Sequence, residues 1–405
     1  MVGAGAAGLA TAIFARRANA SRSVVLMDGA RKPGAKILVS GGSRCNVTNA
    51  SVTDADFWGG RRSIVRRILR AFPVADTWAF FRELGVTLHE EANGKLFPDS
   101  NRARDVLEAL LREVASTGAV LYAGHRVEDV VPTADGFRIV TTAGQLHATR
   151  VVLATGGKSL PKSGSDGAGI EIARRLGHTI VPLTPALTPL LLAEHDPLHR
   201  RLSGVAHDVE LSIWIDGVLS ARLTGALLWT HLGVSGPAAL NASRHWLRAE
   251  LEGAAPAVTV NFQGGATFDA VDRSWGDLAR TRPRASVQHL LGRGMPAAVA
   301  SALLASLEVD GATPAAHFTR DDRRRLSHAL TAWPLPVVGA RDYTVAEATA
   351  GGVNLTEIDP ATMESRVRRG LFLAGEMLDV DGRLGGFNFQ WAWCTGKVAG
   401  TAVAR

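Results

Sequence analysis

Gly3-Ala4-Gly5-Ala6-Ala7-Gly8 opens the chain, and Gly375-Glu376 runs on to Gly385-Gly386-Phe387-Asn388-Phe389-Gln390 near its end. The first stretch is a G-x-G-x-x-G turn, whose glycines let backbone N–H groups approach a pyrophosphate at a helix N-terminus. Ser23 to Met27 then reads as a strand ending in Asp28, an acid about 20 residues past the glycines, where a Rossmann unit hydrogen-bonds a ribose hydroxyl. Only Met1 and Val2 precede Gly3, so either the start codon is misassigned or the domain begins with a stunted central strand. Alone, this half says only that a dinucleotide binds. The second half puts Glu376 after an apolar strand, Gly370 to Ala374, and then opens a tryptophan-bearing segment (Trp391, Trp393) with a glycine-rich loop. Such a loop can aim backbone donors at a ring that becomes anionic. A reduced flavin is such a ring, so the two ends together predict one elongated FAD site.

The remaining composition narrows the class. At 405 residues, a prior of roughly 100–200 residues per domain gives two or three units. Hydrophobic content of 46% and charged content of 20% fit a soluble globular enzyme. The net charge of +7 is carried mostly by scattered arginine beside abundant alanine, the usage of a GC-rich genome, and argues only weakly for a nucleic-acid partner. Cys45 and Cys394 stand far apart in no metal spacing, which disfavours a disulfide framework or a metal centre and fits the reducing cytoplasm. In the apolar opening, Arg16 and Arg17 follow the stretch they would have to precede in a signal peptide. Residues 223–243 lack Asp, Glu, Lys and Arg, but His231, Gly233, Ser235, Gly236 and Pro237 break them in the middle. They read as strand, loop and helix start, with no membrane span.

Along the chain, apolar residues recur at helical spacing between Arg61 and Glu83, and again from Asn101, an N-cap candidate, to Ala115. Short runs at 119–122, 126–131 and 137–142 read as a small antiparallel meander. Val151 to Ala154 is a buried strand entering Thr155-Gly156-Gly157. After Pro182 the texture changes, which predicts an insert: a first FAD-domain segment at 1–185, an insert at 186–337 that is β-rich to 265 and helical from 266, and a second FAD-domain segment at 338–405.

Two tempting motifs fail. Gly157-Lys158-Ser159 has Val152 where a P-loop needs glycine, and Gly233 to Pro237 has proline where a nucleophile elbow needs glycine. The stretch Lys36 to Asn49 is harder to explain as packing. Ser40-Gly41-Gly42-Ser43-Arg44-Cys45-Asn46 joins adjacent glycines to many different polar groups, which suits a loop approached closely by a ligand.

Taken with Thr230-His231 to Pro237, Ala346 to Val353 and the 375–392 segment, this loop resembles the BaiN-like (YhiN-type) FAD-dependent oxidoreductases of bacteria, also described as aminoacetone-oxidase-type flavoproteins. The resemblance spans essentially the whole chain. It implies an α/β fold, a Rossmann-type FAD-binding domain interrupted by an insert with a β-barrel-like part and a helical part. It also implies a distant likeness to fumarate-reductase-type flavoproteins, in which a glutamate at the position of Glu376 binds the ribityl chain and the Gly385-Gly386 loop meets the pyrimidine edge. Three departures stand out, the first being the missing first strand, which puts the N-terminal boundary in doubt. Phe387 replaces a usual tyrosine, and Cys394 a frequent serine, so Cys394 is not expected to be catalytic.

The resulting FAD set is Gly3, Gly5, Ala6, Ala7, Gly8, Asp28, Lys36, Ser40, Gly41, Gly42, Arg44, Cys45, Asn46, Val127, Thr155, Gly156, Gly375, Glu376, Asp379, Gly385, Gly386, Phe387 and Asn388. Candidates for the reactive face are Arg44, Cys45, His231, Tyr343, Glu347 and Thr349, with the insert expected to roof the flavin near His231. The expected function is hydride passage through flavin N5 to or from a small organic substrate, either reduction of a conjugated C=C or oxidation of an amine. NAD(P)H is a possible donor, although no second G-x-G-x-x-G is present. The rivals are a flavin-dependent RNA-modifying protein and a flavin-binding regulator without turnover.

Overall fold

Val2 is the pivot of the first sheet. In the computed structural model, which describes residues 1–194, 196 and 198–405, Val2 forms parallel bridges to Met27 on one side and Leu153 on the other. Outward from this residue, Val25–Asp28 pairs in parallel with Val120–Ala123, and Val151–Leu153 with Leu371–Leu373. The result is a parallel Rossmann-type sheet whose first strand is reduced to one bridging residue. Its inner strands are apolar on both faces, as burial on both sides demands.

Two helices from opposite ends of the chain meet beside this sheet. In the C-terminal helix Phe387–Val403, a Cβ on Gly396 would lie 2.9 Å from the Ala7 carbonyl, and one on Gly400 2.5 Å from that of Thr11. Both glycines therefore let this helix touch the backbone of the helix Ala6–Ala18. The sequence ends converge because their helices have no side chains in the way.

Several local expectations are corrected. The helix predicted behind Asn101 is Ala103–Ser116, with Arg102 at the N-cap position and no side-chain cap, while Asn101 sits at φ 52° and accepts from Arg44. The 119–122 run does not join the meander; as Val120–Ala123 it pairs with Val25–Asp28, a partner that local alternation cannot reveal. The antiparallel meander consists of Val127–Thr133, Gly136–Thr141 and Gly144–Ala148. Pro73 divides the 61–83 stretch into helices Arg62–Arg70 and Val74–Glu83.

Contacts group the chain into two compact units, Met1–Thr184 with Ala346–Arg405, and Pro185–Val345. The second unit holds a seven-stranded antiparallel sheet, in spatial order Trp333–Leu335, Pro256–Asn261, Ala206–Ile215, Val218–Thr230, Gly233–Ser235, Leu190–Leu192 and Val337–Ala340. The two edge strands are separated in sequence by Pro336 alone, and among the described residues no ladder pairs them with each other. Trp229 is fully buried within this sheet and donates through Nε1 to His207 Nε2 at 3.1 Å. The helices Phe268–Thr281, Val287–Leu291, Ala297–Ser306 and Arg320–Ala332 follow Pro256–Asn261. Three of them start on Thr267, Ser286 and Thr319, whose hydroxyls accept from first-turn amides and supply the N-caps. Among the described residues no helix is long and apolar enough to cross a membrane.

Candidate cofactor and active site

The glycines of the first turn have different physical reasons. Gly3 has φ 96°, and a Cβ on it would lie 2.5 Å from the Ala154 carbonyl; one on Gly8 would lie 1.9 Å from the carbonyl of Gly3. Both are demanded by packing within the protein. Gly5 is not: its φ of −82° suits any residue, and a Cβ there would meet nothing within 4 Å. The open space faces the start of Ala6–Ala18, which has neither a side-chain cap nor an acid in its first turn. The first N–H groups of that helix, at Ala6, Ala7 and Gly8, and the positive end of its dipole are open to an anion. Asp28 closes the turn, accepting from Ala4 N at 2.7 Å and from Ala30 N at 2.8 Å.

Glu376 is the hub of the site. Its Oε2 accepts from Lys36 Nζ at 2.6 Å and from Gly157 N at 3.3 Å, and its Oε1 from Thr349 N at 3.0 Å. One carboxylate thus draws together four segments that are distant in sequence. Behind it, Gly375 N donates to Thr395 Oγ1 and Trp391 Nε1 to the Gly375 carbonyl, fixing the turn that presents Glu376. Around Gly156, two buried hydroxyls, Thr155 Oγ1 and Ser165 Oγ, have no partner. A Gly156 Cβ would come within 2.8 Å of Ser165 Oγ and 3.6 Å of Glu376 Oε2. An unsatisfied buried polar group costs about 1–3 kcal/mol, and a cofactor rich in hydroxyl and phosphate oxygens offers such groups their missing partners. The open Gly5, the uncapped helix and the orphaned hydroxyls all fit FAD.

The 40–46 loop is shaped by left-handed backbone. The helix Ala35–Ser43 breaks at Ser40, and Gly41, Gly42, Ser43 and Cys45 take φ values of 54°, 68°, 67° and 64°. For Ser43 and Cys45 this is a strained conformation, held by surrounding contacts such as Cys45 N to the Ser40 carbonyl. Asn46, with its amide oriented to satisfy both ends, donates to the Thr48 and Leu96 carbonyls and accepts from Gly386 N at 3.2 Å. Asn49 Nδ2 donates to the Gly385 carbonyl, and a Cβ on Gly386 would fall 2.4 Å from the Thr48 backbone. The 40–49 loop and the 385–386 loop are therefore locked against each other. Beneath them a buried network runs from Thr48 and Thr77 to Gln390 Oε1 and from Gln390 Nε2 to the Phe72 carbonyl.

Several candidates for chemistry are occupied within the protein. Arg44 pairs with Glu91 at 2.6 Å and stacks over Phe97 at 4.0 Å. Thr349 is fully buried, its hydroxyl held by Lys158 N, Ser159 N and Ser159 Oγ. Burial pushes the Cys45 and Cys394 thiols up to about 12, far from a reactive thiolate. Iodoacetamide at mildly alkaline pH is expected to leave both unlabelled in the native protein and to label both after unfolding; rapid native labelling of Cys45 would return it to the reactive set. Asn388 spends both ends of its amide on Gly382, Phe387 packs edge-on against Phe57 in the core, and Asp379 is buried. Val127 is buried at the start of its strand.

Glu347 and Tyr343 remain. Glu347 is exposed by its surface area, although the protein packed around its carboxyl desolvates it enough to raise it above the ordinary range, with Lys95 opposing. In the second unit, burial pushes half-buried Tyr343 up to about 12 against the opposing charge of Arg248, and His231 is exposed on the turn between Val218–Thr230 and Gly233–Ser235. The sequence reading passed over Lys95 and Ser165, and it quoted Gln390 within the 375–392 motif without giving it a role. Lys95 and Ser165 belong to no spacing pattern, and all three matter through what the fold places beside them.

A parallel Rossmann sheet with an open glycine turn, a carboxylate hub and a helix-opening glycine loop defines an FAD-dependent oxidoreductase. The chain belongs to the family described as HI0933-like protein Rossmann domain, whose pattern matches residues 1–402. It is 33% identical over 405 residues to the 3-dehydro-bile acid delta(4,6)-reductase of Clostridium scindens, covering 100% of this chain and 98% of that one. It is 31% identical over 400 residues to the ribosomal RNA dihydrouridine synthase of Escherichia coli, covering 97% and 94%. With the enzyme of the same description from Haemophilus influenzae it shares 31% over 409 residues, covering 100% and 98%.

Proposed function

We propose that the protein reduces a carbon–carbon double bond conjugated to a carbonyl. The observation that carries this is shared chemistry between two differently named full-length relatives. A delta(4,6)-reductase of a 3-dehydro acid and a dihydrouridine synthase both saturate a C=C in conjugation with C=O. Bound FAD supplies the hydride, replenished by NAD(P)H. The protein's own tasks are to hold the cofactor through Glu376, Lys36 and the glycine turn, and to deliver a proton to the carbon next to the carbonyl.

Glu347 is the group assigned to that proton. Its raised carboxyl is protonated at low pH and loses the proton as pH rises through the raised value, so flavin reoxidation by substrate should slow as pH climbs beyond the ordinary carboxylate range. Glu347→Gln should slow the step and flatten this limb. The experiment mixes photoreduced, FAD-loaded protein anaerobically with a conjugated enone, an isolated alkene and an amine. Rapid reoxidation by the enone alone supports the reading. In a parallel anaerobic mix with the oxidised protein, reduction of the flavin by the amine would reverse the direction, and reoxidation of the reduced protein only by oxygen would leave a non-catalytic flavoprotein.

A second substrate reading has its own observation. Residues 185–345 contain 15 basic and 15 acidic residues, so the whole +7 lies in the unit carrying the FAD site. There the helix Arg62–Arg70 exposes Arg62, Arg66, Arg67 and Arg70. With relatives named for ribosomal RNA, a uracil within RNA is the alternative bearer of the double bond. Reoxidation by a uracil-containing rRNA transcript and by no small enone would select it.

A further inference from the structure

Lys95 stands at the glycine loop with no salt bridge among the described residues. It opens the strand Lys95–Pro98, paired with Asn49 on one side and Glu91 on the other. Its Cε lies 3.8 Å from where a Gly385 Cβ would be, beside Asn49 Nδ2 at 3.6 Å. Other cations around these loops are neutralised: Lys36 by Glu376, Arg44 by Glu91, Arg383 by Asp56. Glu347 lies within electrostatic reach of Lys95 but forms no salt bridge with it.

The same loop begins the C-terminal helix. Gly386 is its N-cap, with no side-chain cap and no acid in the first turn, so the positive end of a 17-residue helix points to the place where Lys95 sits. Both charges add at one spot. Lys95 is half-buried with its alkyl stem over a glycine, which leaves the ammonium available to an anion. The anion proposed for it is present only part of the time. Reduction of FAD by two electrons and one proton leaves the ring with one negative charge; the electrons come from the pyridine nucleotide in turnover and from light or dithionite in the test.

We propose that Lys95 supplies the positive charge that stabilises the reduced, anionic form of FAD and so sets the reduction potential of the bound cofactor. This rests on the FAD site and not on the identity of the substrate. Its test therefore needs no substrate, and a failure of the enone reading leaves it standing.

The experiment uses the full-length FAD-loaded protein with Lys95→Met and Lys95→Arg. Potential is measured against a dye of known potential, and charge stabilisation independently by sulfite addition to the oxidised ring, which also creates an anion. Lys95→Met should weaken sulfite binding about tenfold and lower the potential by about 30 mV, the same factor for a two-electron couple. Lys95→Arg should stay within about twofold of wild type. Wild-type potential and sulfite affinity in Lys95→Met would overturn the proposal. So would equal shifts in both variants, or equal loss of FAD from both, because the charge would then not be the property that matters. A wild-type protein that takes up no FAD would fail the site itself before any variant is made.

Discussion

A Glu376→Ala variant is expected to purify largely colourless. The carboxylate accepts from the Lys36 ammonium and from the amides of Gly157 and Thr349, and a hydrogen bond to a charged group contributes about 1.5–3 kcal/mol. Loss of one such contact to the cofactor weakens FAD binding by about 10- to 150-fold, at about 1.4 kcal/mol per decade. The alanine also strands Lys36 and two amides at the wall of the site, so the loop 157–159, which reaches Glu376 through Thr349, loosens as well. Glu376→Gln keeps the shape and one acceptor and should fall between the two. The ratio of flavin to protein absorbance after gel filtration, followed by titration of the apoprotein with FAD, reads both variants. Holoprotein melting should drop with occupancy, since a ligand stabilises only in proportion to its binding. Unchanged FAD affinity in Glu376→Ala would reduce the residue to an internal brace.

The second large effect separates two glycines of one motif. Gly8→Ala puts a methyl carbon 1.9 Å from the Gly3 carbonyl. Neither partner is a flexible side chain, so the turn must move, at about 1–3 kcal/mol or more. The variant should lose melting temperature even without FAD and should also bind it poorly. Gly5→Ala meets nothing within 4 Å at a φ open to any residue. In FAD-free protein its two effects oppose each other: a less flexible unfolded chain stabilises by about 0.4–1 kcal/mol, while alanine caps a helix worse than glycine by a comparable amount. The apoprotein should melt near wild type. FAD affinity should nevertheless fall on the order of tenfold, about 1.4 kcal/mol, because the methyl occupies space that the ligand uses. An apoprotein of Gly5→Ala that melts far lower, or a variant that binds FAD as wild type does, would remove the argument that this glycine exists for a ligand.

Legibility in the sequence followed the range of the interactions. The glycine turn, Asp28 and the loop 40–46 are local patterns, and each was readable because the backbone geometry it needs limits the residues that can supply it. The antiparallel meander was half readable: alternation located strands, but Val120–Ala123 joined a parallel partner almost a hundred residues earlier in the chain, and nothing in four residues records that. Asn101 failed as a cap for a related reason. Its left-handed backbone and its contact to Arg44 outweighed a local propensity. In the loop 40–46, composition showed that the polar groups were needed, though not by what. Arg44 turned out to serve Glu91 and Phe97, and Thr349 to hold the loop 157–159. A sequence records which donors and acceptors are available, and a fold decides which of them are consumed internally.

The sequence by itself determined the family and pointed to FAD, and it singled out the two ends proposed to hold it, because pyrophosphate approach and ring contact both call for glycines at set spacings. The tertiary structure alone decided that Glu376 meets Lys36 across 340 residues, that Gly5 and Gly8 have opposite reasons to be glycine, and that Lys95 stands unpaired at the loop beside Gly385. Those are facts of distance. Spacing along a chain constrains distance only within a turn or a helix, and beyond that range packing sets it.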